Sequence, residues 1–144
     1  MISVIAVKLS ESVYIIEGVR TPVGSPFHSL KEFKAAQLGS FVIRGLLKKV
    51  PIKEALITHV ILGNVVSAGL GQNLSRQSAV LAGLPNAQAF TVNNVCGSPL
   101  QALIIGLQAI LIKEAVVCIA GGVESATHNP YLVSKELFSL DPKT

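Results

Sequence analysis

The apolar run from Ala115 to Ala120 (AVVCIA) restricts the fold of this chain more than any other feature. An unbroken apolar run without polar alternation is typical of a strand covered on both faces, and such strands occur mainly in parallel sheets. The run ends in Gly121-Gly122, as expected where a strand meets a turn. Because parallel strands are joined by crossover connections, helical segments are expected between this strand and its neighbours.

Strand-like and helix-like segments alternate along the rest of the chain. Strands are predicted at Val13–Ile16, Ile57–Val66 and Phe90–Val95; helices are predicted from the capping-box spacing Ser29-Leu30-Lys31-Glu32 to Pro51, from Asn73 to Ala82, and after Cys96. The order β-α-β-α-β-α-β predicts an α/β class with a mainly parallel sheet.

The segment after Cys96 has apolar residues almost all round a helical axis. One stripe comprises Leu100, Leu103, Ile104, Leu107 and Ile110, and further apolar residues lie elsewhere at Ala102, Ile105, Leu111 and Ile112. A helix that is apolar nearly all round is usually buried. A buried helix is therefore predicted directly after the cysteine.

Composition limits the partners and the compartment. Of 144 residues, 50% are hydrophobic and 14% are charged, which predicts one domain with apolar surface covered by a second half or an oligomeric partner. The net charge of +4 comes from scattered lysines without interleaved aromatic residues, which argues against nucleic-acid binding. No apolar stretch is long enough for a membrane span, and residues 1–7 lack the features of a signal peptide. Two cysteines are too few for a disulfide framework, so a cytoplasmic location is predicted.

Cys96 is the candidate nucleophile. It lies where a predicted strand meets the predicted buried helix, and functional residues of α/β sheets gather at the carboxyl ends of strands. Unpaired N–H groups at a helix N-terminus favour a thiolate, and Gly97 leaves room for a substrate. The residues alone also allow a buried cysteine that acts as a small hydrophobe. Cys118, in the middle of an apolar strand, is predicted to be structural.

The three histidines, His28, His59 and His128, are each considered as a general base, but an ordinary packed or surface role fits each of them better. Only His128, beyond Gly121-Gly122, is expected near the sheet edge that carries Cys96. No His or Cys pair has metal-ligand spacing, so no metal is predicted.

Four stretches of the sequence resemble motifs of the thiolase family, in order and at similar spacing. They are Arg20-Thr21-Pro22 with Gly24; Gly63-Asn64-Val65 leading through Ala68 to Asn73 and Arg76-Gln77; Asn93 with Val95-Cys96-Gly97-Ser98; and Ala120 to Ser125 (AGGVES) followed by Pro130-Tyr131. The resemblance runs from Val13 to about Val133. It implies a thiolase-like fold in which residues 1–144 form a single N-terminal-type domain, residues 1–12 are an extra segment and the C-terminal half is absent.

The resemblance also implies a mechanism. Cys96 would accept an acyl group from a CoA thioester, and the enzyme would condense two acetyl-CoA molecules or cleave a 3-ketoacyl-CoA with CoA, without a further cofactor. The family's activating histidine, second cysteine and oxyanion asparagine lie in later segments that have no counterpart here. The resemblance places the region Gln72–Gln77 near subunit contacts, so the expected partners are a homo-oligomer or a complementary C-terminal thiolase half.

Several residues depart from the family pattern. Pro99 replaces a glycine after the cysteine motif, and Leu111, Ile112 and Lys113 stand where a small or polar residue and a glycine are usual. Two other functions therefore stay open. One is a non-catalytic thiolase fragment that serves as a binding or assembly module, and the other is a β-ketoacyl-synthase-like enzyme, which shares the fold and a cysteine nucleophile.

Overall fold

The computed structural model describes residues 12–134, which form an α/β unit. Its helices are α1 (Ala35–Lys49), α2 (Leu74–Leu81) and α3 (Ser98–Leu111), and its strands are β1 (Ile57–Gly63), β2 (Gln88–Val92) and β3 (Val117–Gly122). Short 3-10 helices cover Glu54–Leu56 and Ala126–His128. The α/β class is confirmed, and the last three predicted strands and all three predicted helices are present with shifted ends.

The three strands form one parallel sheet in the order β2-β1-β3. Gly63, the last residue of β1, pairs with Val92 at the end of β2 and with Gly122 at the end of β3. The strands therefore end level with one another. As a result, the three loops that follow them meet at one edge of the sheet.

The sheet has helices on both faces. Val60, Leu62 and Ile119 pack with α1 and α2 in the main apolar core, in which Ile43 of α1 is 1% exposed. Side chains alternate along a strand, so Cys118 and Ala120 point to the opposite face. There α3 packs closely on β3 and β1.

The predicted first strand, Val13–Ile16, is wrong. These residues are extended but lie in no strand, and Tyr14 and Ile15 are 80% and 85% exposed. Their β-branched and aromatic side chains give a strand propensity, but a strand also needs a neighbour that completes its hydrogen bonds. Within the described part of the chain, this segment has no such neighbour.

The predicted capping box at Ser29–Glu32 is also wrong. Residues 26–32 form turns, with Lys31 N–H donating to His28 O at 3.0 Å and Phe27 at a positive φ of 63°. The helix begins later, where Gln37 Oε1 accepts from the Lys34 N–H at 2.9 Å. Ser29–Glu32 therefore lie in the turns that precede the helix.

The helix after Cys96 is present, but this chain buries only one side of it. Its buried residues are Ser98, Ala102, Gly106 and Ala109. On its other sides Leu100 is 62% exposed, and Leu103 and Leu107 are 42% and 38% exposed. The predicted helix is confirmed, but its predicted burial is wrong for residues 12–134, because an apolar pattern cannot say which part of a protein covers a helix.

The second helix begins as predicted. Asn73 Oδ1 accepts from the Arg76 N–H at 3.1 Å, which satisfies one of the free donors of the first turn. Gly83, just after the helix, has a φ of 95°, a conformation that suits glycine. None of the helices between residues 12 and 134 has both the length and the apolar character needed to cross a bilayer.

Candidate active site

The loops that follow the three strands are joined by hydrogen bonds into one surface at the carboxyl edge of the sheet. The Asn64 Nδ2 group, after β1, donates to Val123 O, after β3, at 3.1 Å. The Asn93 Nδ2 group, after β2, donates to Val65 O at 3.1 Å. This edge is where α/β sheets place their functional residues.

Cys96 lies in this surface on a tight turn, here called the Cys96 elbow (residues 93–98). The thiol is exposed. The turn is closed by the Gly97 N–H, which donates to Asn94 O at 3.0 Å, and by the Ser98 N–H, which donates to Val95 O at 3.0 Å. Val95 has a φ of 50°, which is a true outlier for a β-branched residue. The elbow therefore presents the cysteine at the start of α3 at the expense of backbone strain.

The first turn of α3 fits between two glycines at the strand ends. A Cβ atom built on Gly63 would lie 2.6 Å from Pro99 N and would also overlap Ser98. A Cβ atom on Gly122 would lie 2.5 Å from Pro99 Cγ. Ser98 is fully buried, and its Oγ accepts from the Asn94 N–H at 2.8 Å. Pro99 occupies the first helical turn, where a missing N–H is harmless.

Glu124 is the carboxylate of this surface. Its Oε2 accepts from the Val65 N–H at 2.8 Å, and its Oε1 accepts from Asn64 Nδ2 at 3.0 Å. Asn64 is 2% exposed, and its Oδ1 is buried and has no hydrogen-bond partner among residues 12–134. The three loops are thus tied together by side chains that are adjacent only in the folded chain.

None of the three histidines forms a hydrogen bond with the Cys96 thiol. His28 is exposed in a turn, and His59 is buried on β1 with Nδ1 at 3.0 Å from Thr58 Oγ1. His128 follows β3, as expected, but its Nδ1 lies 3.0 Å from Ser125 Oγ. Within residues 12–134, no side chain forms a hydrogen bond with Cys96 Sγ. The described part of the chain therefore holds the candidate nucleophile without a partnered base.

Cys118 differs from Cys96 in its surroundings. Its sulfur faces Gly106 of α3, where an added Cβ atom would lie 2.9 Å from Cys118 Sγ. Burial raises the pKa of the Cys118 thiol to about 11, because the apolar surroundings disfavour the charged form. This environment agrees with the predicted structural role.

The rate of alkylation is expected to distinguish the two cysteines. At pH 8, a thiol with a pKa of about 11 is ionised to roughly one part in a thousand, so iodoacetamide should modify Cys118 at least about tenfold more slowly than Cys96. The Cys118 rate should rise as the pH approaches 11. Peptide mass spectrometry measures both rates, and equal rates in urea serve as the control. Equal rates in the folded protein would contradict this assignment.

Three residues of the site had no role assigned from the sequence: Asn64, Asn93 and Glu124. Each follows the end of a strand in the structure, and the available signal in the sequence was that each lies in one of the family-like motifs. Which groups they contact depends on loops far apart in the sequence. Among residues 12–134, no group of three or more His, Cys, Asp or Glu side chains is placed to hold a metal ion.

Comparison with known proteins agrees with this geometry. Residues 13–141 match the family model described as thiolase, N-terminal domain. An acetyl-CoA acetyltransferase of Schizosaccharomyces pombe is 45% identical over 131 residues, which are 90% of this chain and 33% of that protein. A Gibberella zeae protein named as cytosolic acetyl-CoA acetyltransferase is 45% identical over 120 residues, which are 83% of this chain and 30% of that protein.

A solved structure also resembles the described fold. The thiolase Acat5 of Ascaris suum, crystallised in complex with coenzyme A, superposes with a TM-score of 0.78 at 36% identity. The match covers 81% of this chain and 31% of that one. The chain thus spans about a third of the length of the relatives that it matches.

Proposed function

The chain belongs to the thiolase family, as a match to its N-terminal domain, and we propose that Cys96 is the acyl-accepting nucleophile of an acetyl-CoA acetyltransferase-type activity. The observation that carries this proposal is the exposed thiol on the strained Cys96 elbow at the start of α3. Family membership favours a thiolase over a β-ketoacyl synthase.

The chemistry follows from a thiol nucleophile. The Cys96 thiolate attacks the thioester carbonyl of an acyl-CoA, the CoA thiolate leaves, and the acyl group stays bound to sulfur. The acetyl-CoA carbanion, formed by loss of a methyl proton to a base, then attacks this acyl group and releases Cys96. In the reverse direction, Cys96 attacks the 3-keto carbonyl of a 3-ketoacyl-CoA, and acetyl-CoA leaves as its carbanion and takes a proton from an acid. The thiolate of a second CoA then removes the acyl group from Cys96. A CoA-bound family structure supports CoA thioesters as the substrates.

We propose further that the acid and base groups come from outside the described residues. Support comes from the Cys96 thiol, which forms no hydrogen bond with residues 12–134, and from the fraction of each relative that this chain covers. In this proposal residues 1–144 are one N-terminal-type domain, and residues 1–12 are an extra N-terminal segment that precedes the family match at residue 13. The Gibberella zeae relative, named cytosolic, supports a cytoplasmic location.

The exposed side of α3 supports the proposal of a partner. Its apolar residues Leu100, Leu103 and Leu107 carry no charge and stand open to solvent. A contiguous apolar surface of this kind is typical of an interface. We propose that a complementary thiolase half covers it or, when the chain is alone, a second copy of the same chain.

Intact-mass spectrometry after incubation with acetoacetyl-CoA tests the nucleophile. We expect an acetyl adduct on the wild-type chain and none on Cys96→Ala, because only Cys96 presents an exposed thiol at the sheet edge. Cys118→Ala is the matched control and should keep the adduct. An adduct that persists in Cys96→Ala would contradict the proposal.

A non-catalytic thiolase fragment is the second candidate, and the lack of a base bound to Cys96 favours it. In that case the folded chain would give no adduct with acetoacetyl-CoA, while iodoacetamide would still modify the exposed thiol. An adduct on the wild-type chain would therefore exclude the non-catalytic candidate, whereas a folded chain without an adduct would show that acyl transfer at Cys96 needs groups that residues 1–144 do not supply.

A further inference from the structure

We propose that Glu124 and Asn93 are positioning residues that hold the Cys96 elbow, acting through the backbone of Val65. This inference rests on the proposed function of Cys96. In this proposal the elbow is supported by Glu124, which follows β3 in the sequence and forms its hydrogen bonds with Asn64 and Val65 rather than with the elbow.

The contacts form a continuous line from the carboxylate to the cysteine. Glu124 Oε2 accepts from the Val65 N–H at 2.8 Å. Val65 O, in turn, accepts from Asn93 Nδ2 at 3.1 Å. Asn93 Oδ1 accepts from the Val95 N–H at 3.0 Å, and Val95 directly precedes Cys96. Each of these three hydrogen bonds uses a different atom of Val65 or Asn93, so all three can form together and link Glu124 to Val95.

The elbow needs such a support because Val95 is strained. A β-branched residue at a φ of 50° would relax to a negative φ if its neighbours allowed it. That relaxation would turn the peptide between Val95 and Cys96 and move the thiol. The Asn93 side chain opposes it, since its amide oxygen holds the Val95 N–H while its amide nitrogen is bound to Val65 O.

A carboxylate is a suitable acceptor at the Glu124 end of this chain of hydrogen bonds. Glu124 accepts two hydrogen bonds, from the Val65 N–H and from Asn64 Nδ2, and hydrogen bonds to a charged acceptor are stronger than neutral ones. Asn64 is anchored in turn by Val123 O at 3.1 Å. The backbone of Val65 is therefore held on both sides of its Cα atom. Its N–H, in the peptide group shared with Asn64, donates to Glu124, and its C=O, in the peptide group shared with Val66, accepts from Asn93.

Amide hydrogen exchange of the full chain tests the positioning without any activity. In Glu124→Ala and Asn93→Ala, we expect exchange of the Val95 and Gly97 N–H groups to accelerate at least about tenfold. Glu124→Gln keeps an acceptor for Val65 and should restore most of the protection. Glu114→Gln is the matched control, because Glu114 is an exposed acidic residue before β3, and this variant should leave the exchange rates of Val95 and Gly97 unchanged. The core amide of Ile61 reports whether a variant has merely lost stability.

The acyl transfer step supplies a second readout. With acetoacetyl-CoA in single turnover, Glu124→Ala should lower the maximal rate of adduct formation about tenfold and leave the half-saturating concentration within about twofold, since the thiol is displaced while the substrate contacts remain. A wild-type chain that gives no adduct would contradict the proposed function of the isolated chain, and the exchange rates alone would then decide the positioning. Unchanged exchange at Val95 in Glu124→Ala, with faster exchange at Val65, would overturn the inference.

Discussion

Gly63→Ala is expected to lower the free energy of unfolding by about 3 kcal/mol and to remove the acyl-accepting activity of Cys96. The added Cβ atom would lie 2.6 Å from Pro99 N and would overlap Ser98. These are backbone and buried atoms, so no flexible side chain can move aside. Either α3 shifts away from β1 or the strand end distorts, and both changes displace the Cys96 elbow. Urea unfolding measures the first effect, and acetoacetyl-CoA labelling measures the second.

Gly45→Ala provides the matched control for this prediction. Gly45 lies within α1, and a Cβ atom there would meet nothing within 4 Å. Alanine at an open helical position should raise the free energy of unfolding by about 0.5–1 kcal/mol and leave the labelling of Cys96 unchanged. If Gly63→Ala were as stable and as reactive as the wild type, the close packing of β1 on α3 would be wrong.

We expect the wild-type chain to self-associate through α3 and the double variant Leu103→Glu with Leu107→Lys to be a monomer. Both leucines lie on the open side of α3, at 42% and 38% exposure. Glu and Lys four residues apart attract one another on a helix, which offsets part of the lost apolar contact and keeps the net charge unchanged. The free energy of unfolding should fall by about 1–2 kcal/mol, whereas association through this surface should be lost. Analytical ultracentrifugation over a range of concentrations measures the change.

Val80 and Leu81 offer a control on the other side of the sheet. They are 47% and 50% exposed on α2, so Val80→Glu with Leu81→Lys alters as much exposed apolar surface without touching α3. This variant should associate like the wild type. A wild-type chain that is monomeric at high concentration, or a Leu103→Glu/Leu107→Lys variant that still associates, would contradict α3 as the interface.

Much of the fold could be predicted from the sequence, because local pattern and tertiary role agree there. The apolar run before Gly121 became the edge strand β3, and Asn73 caps α2 as its position before an apolar pattern indicated. Prediction failed where a segment depends on a distant neighbour. Val13–Ile16 has the composition of a strand and no strand beside it within residues 12–134, and Ser29–Glu32 has the spacing of a cap within a series of turns.

The candidate site was predicted in part, for a similar reason. The change from a strand pattern to a helical pattern located Cys96 at the start of α3. A valine gives no signal that its backbone will adopt a positive φ, so the strain at Val95 was not foreseen. The contact between Glu124 and Val65 joins residues 59 positions apart, and no local pattern reports it.

The strand order determines when this site can form during synthesis of the chain. The strand made first, β1, lies in the centre of the sheet, and β3, made last, completes its outer side. Cys96 and its turn therefore leave the ribosome before Glu124, which follows 28 positions later in the chain. Until then the Val65 N–H lacks its carboxylate acceptor and the centre strand has one neighbour instead of two. Any nascent or shortened chain ending before Glu124 would carry the thiol without the anchor that ties its loop to the finished sheet.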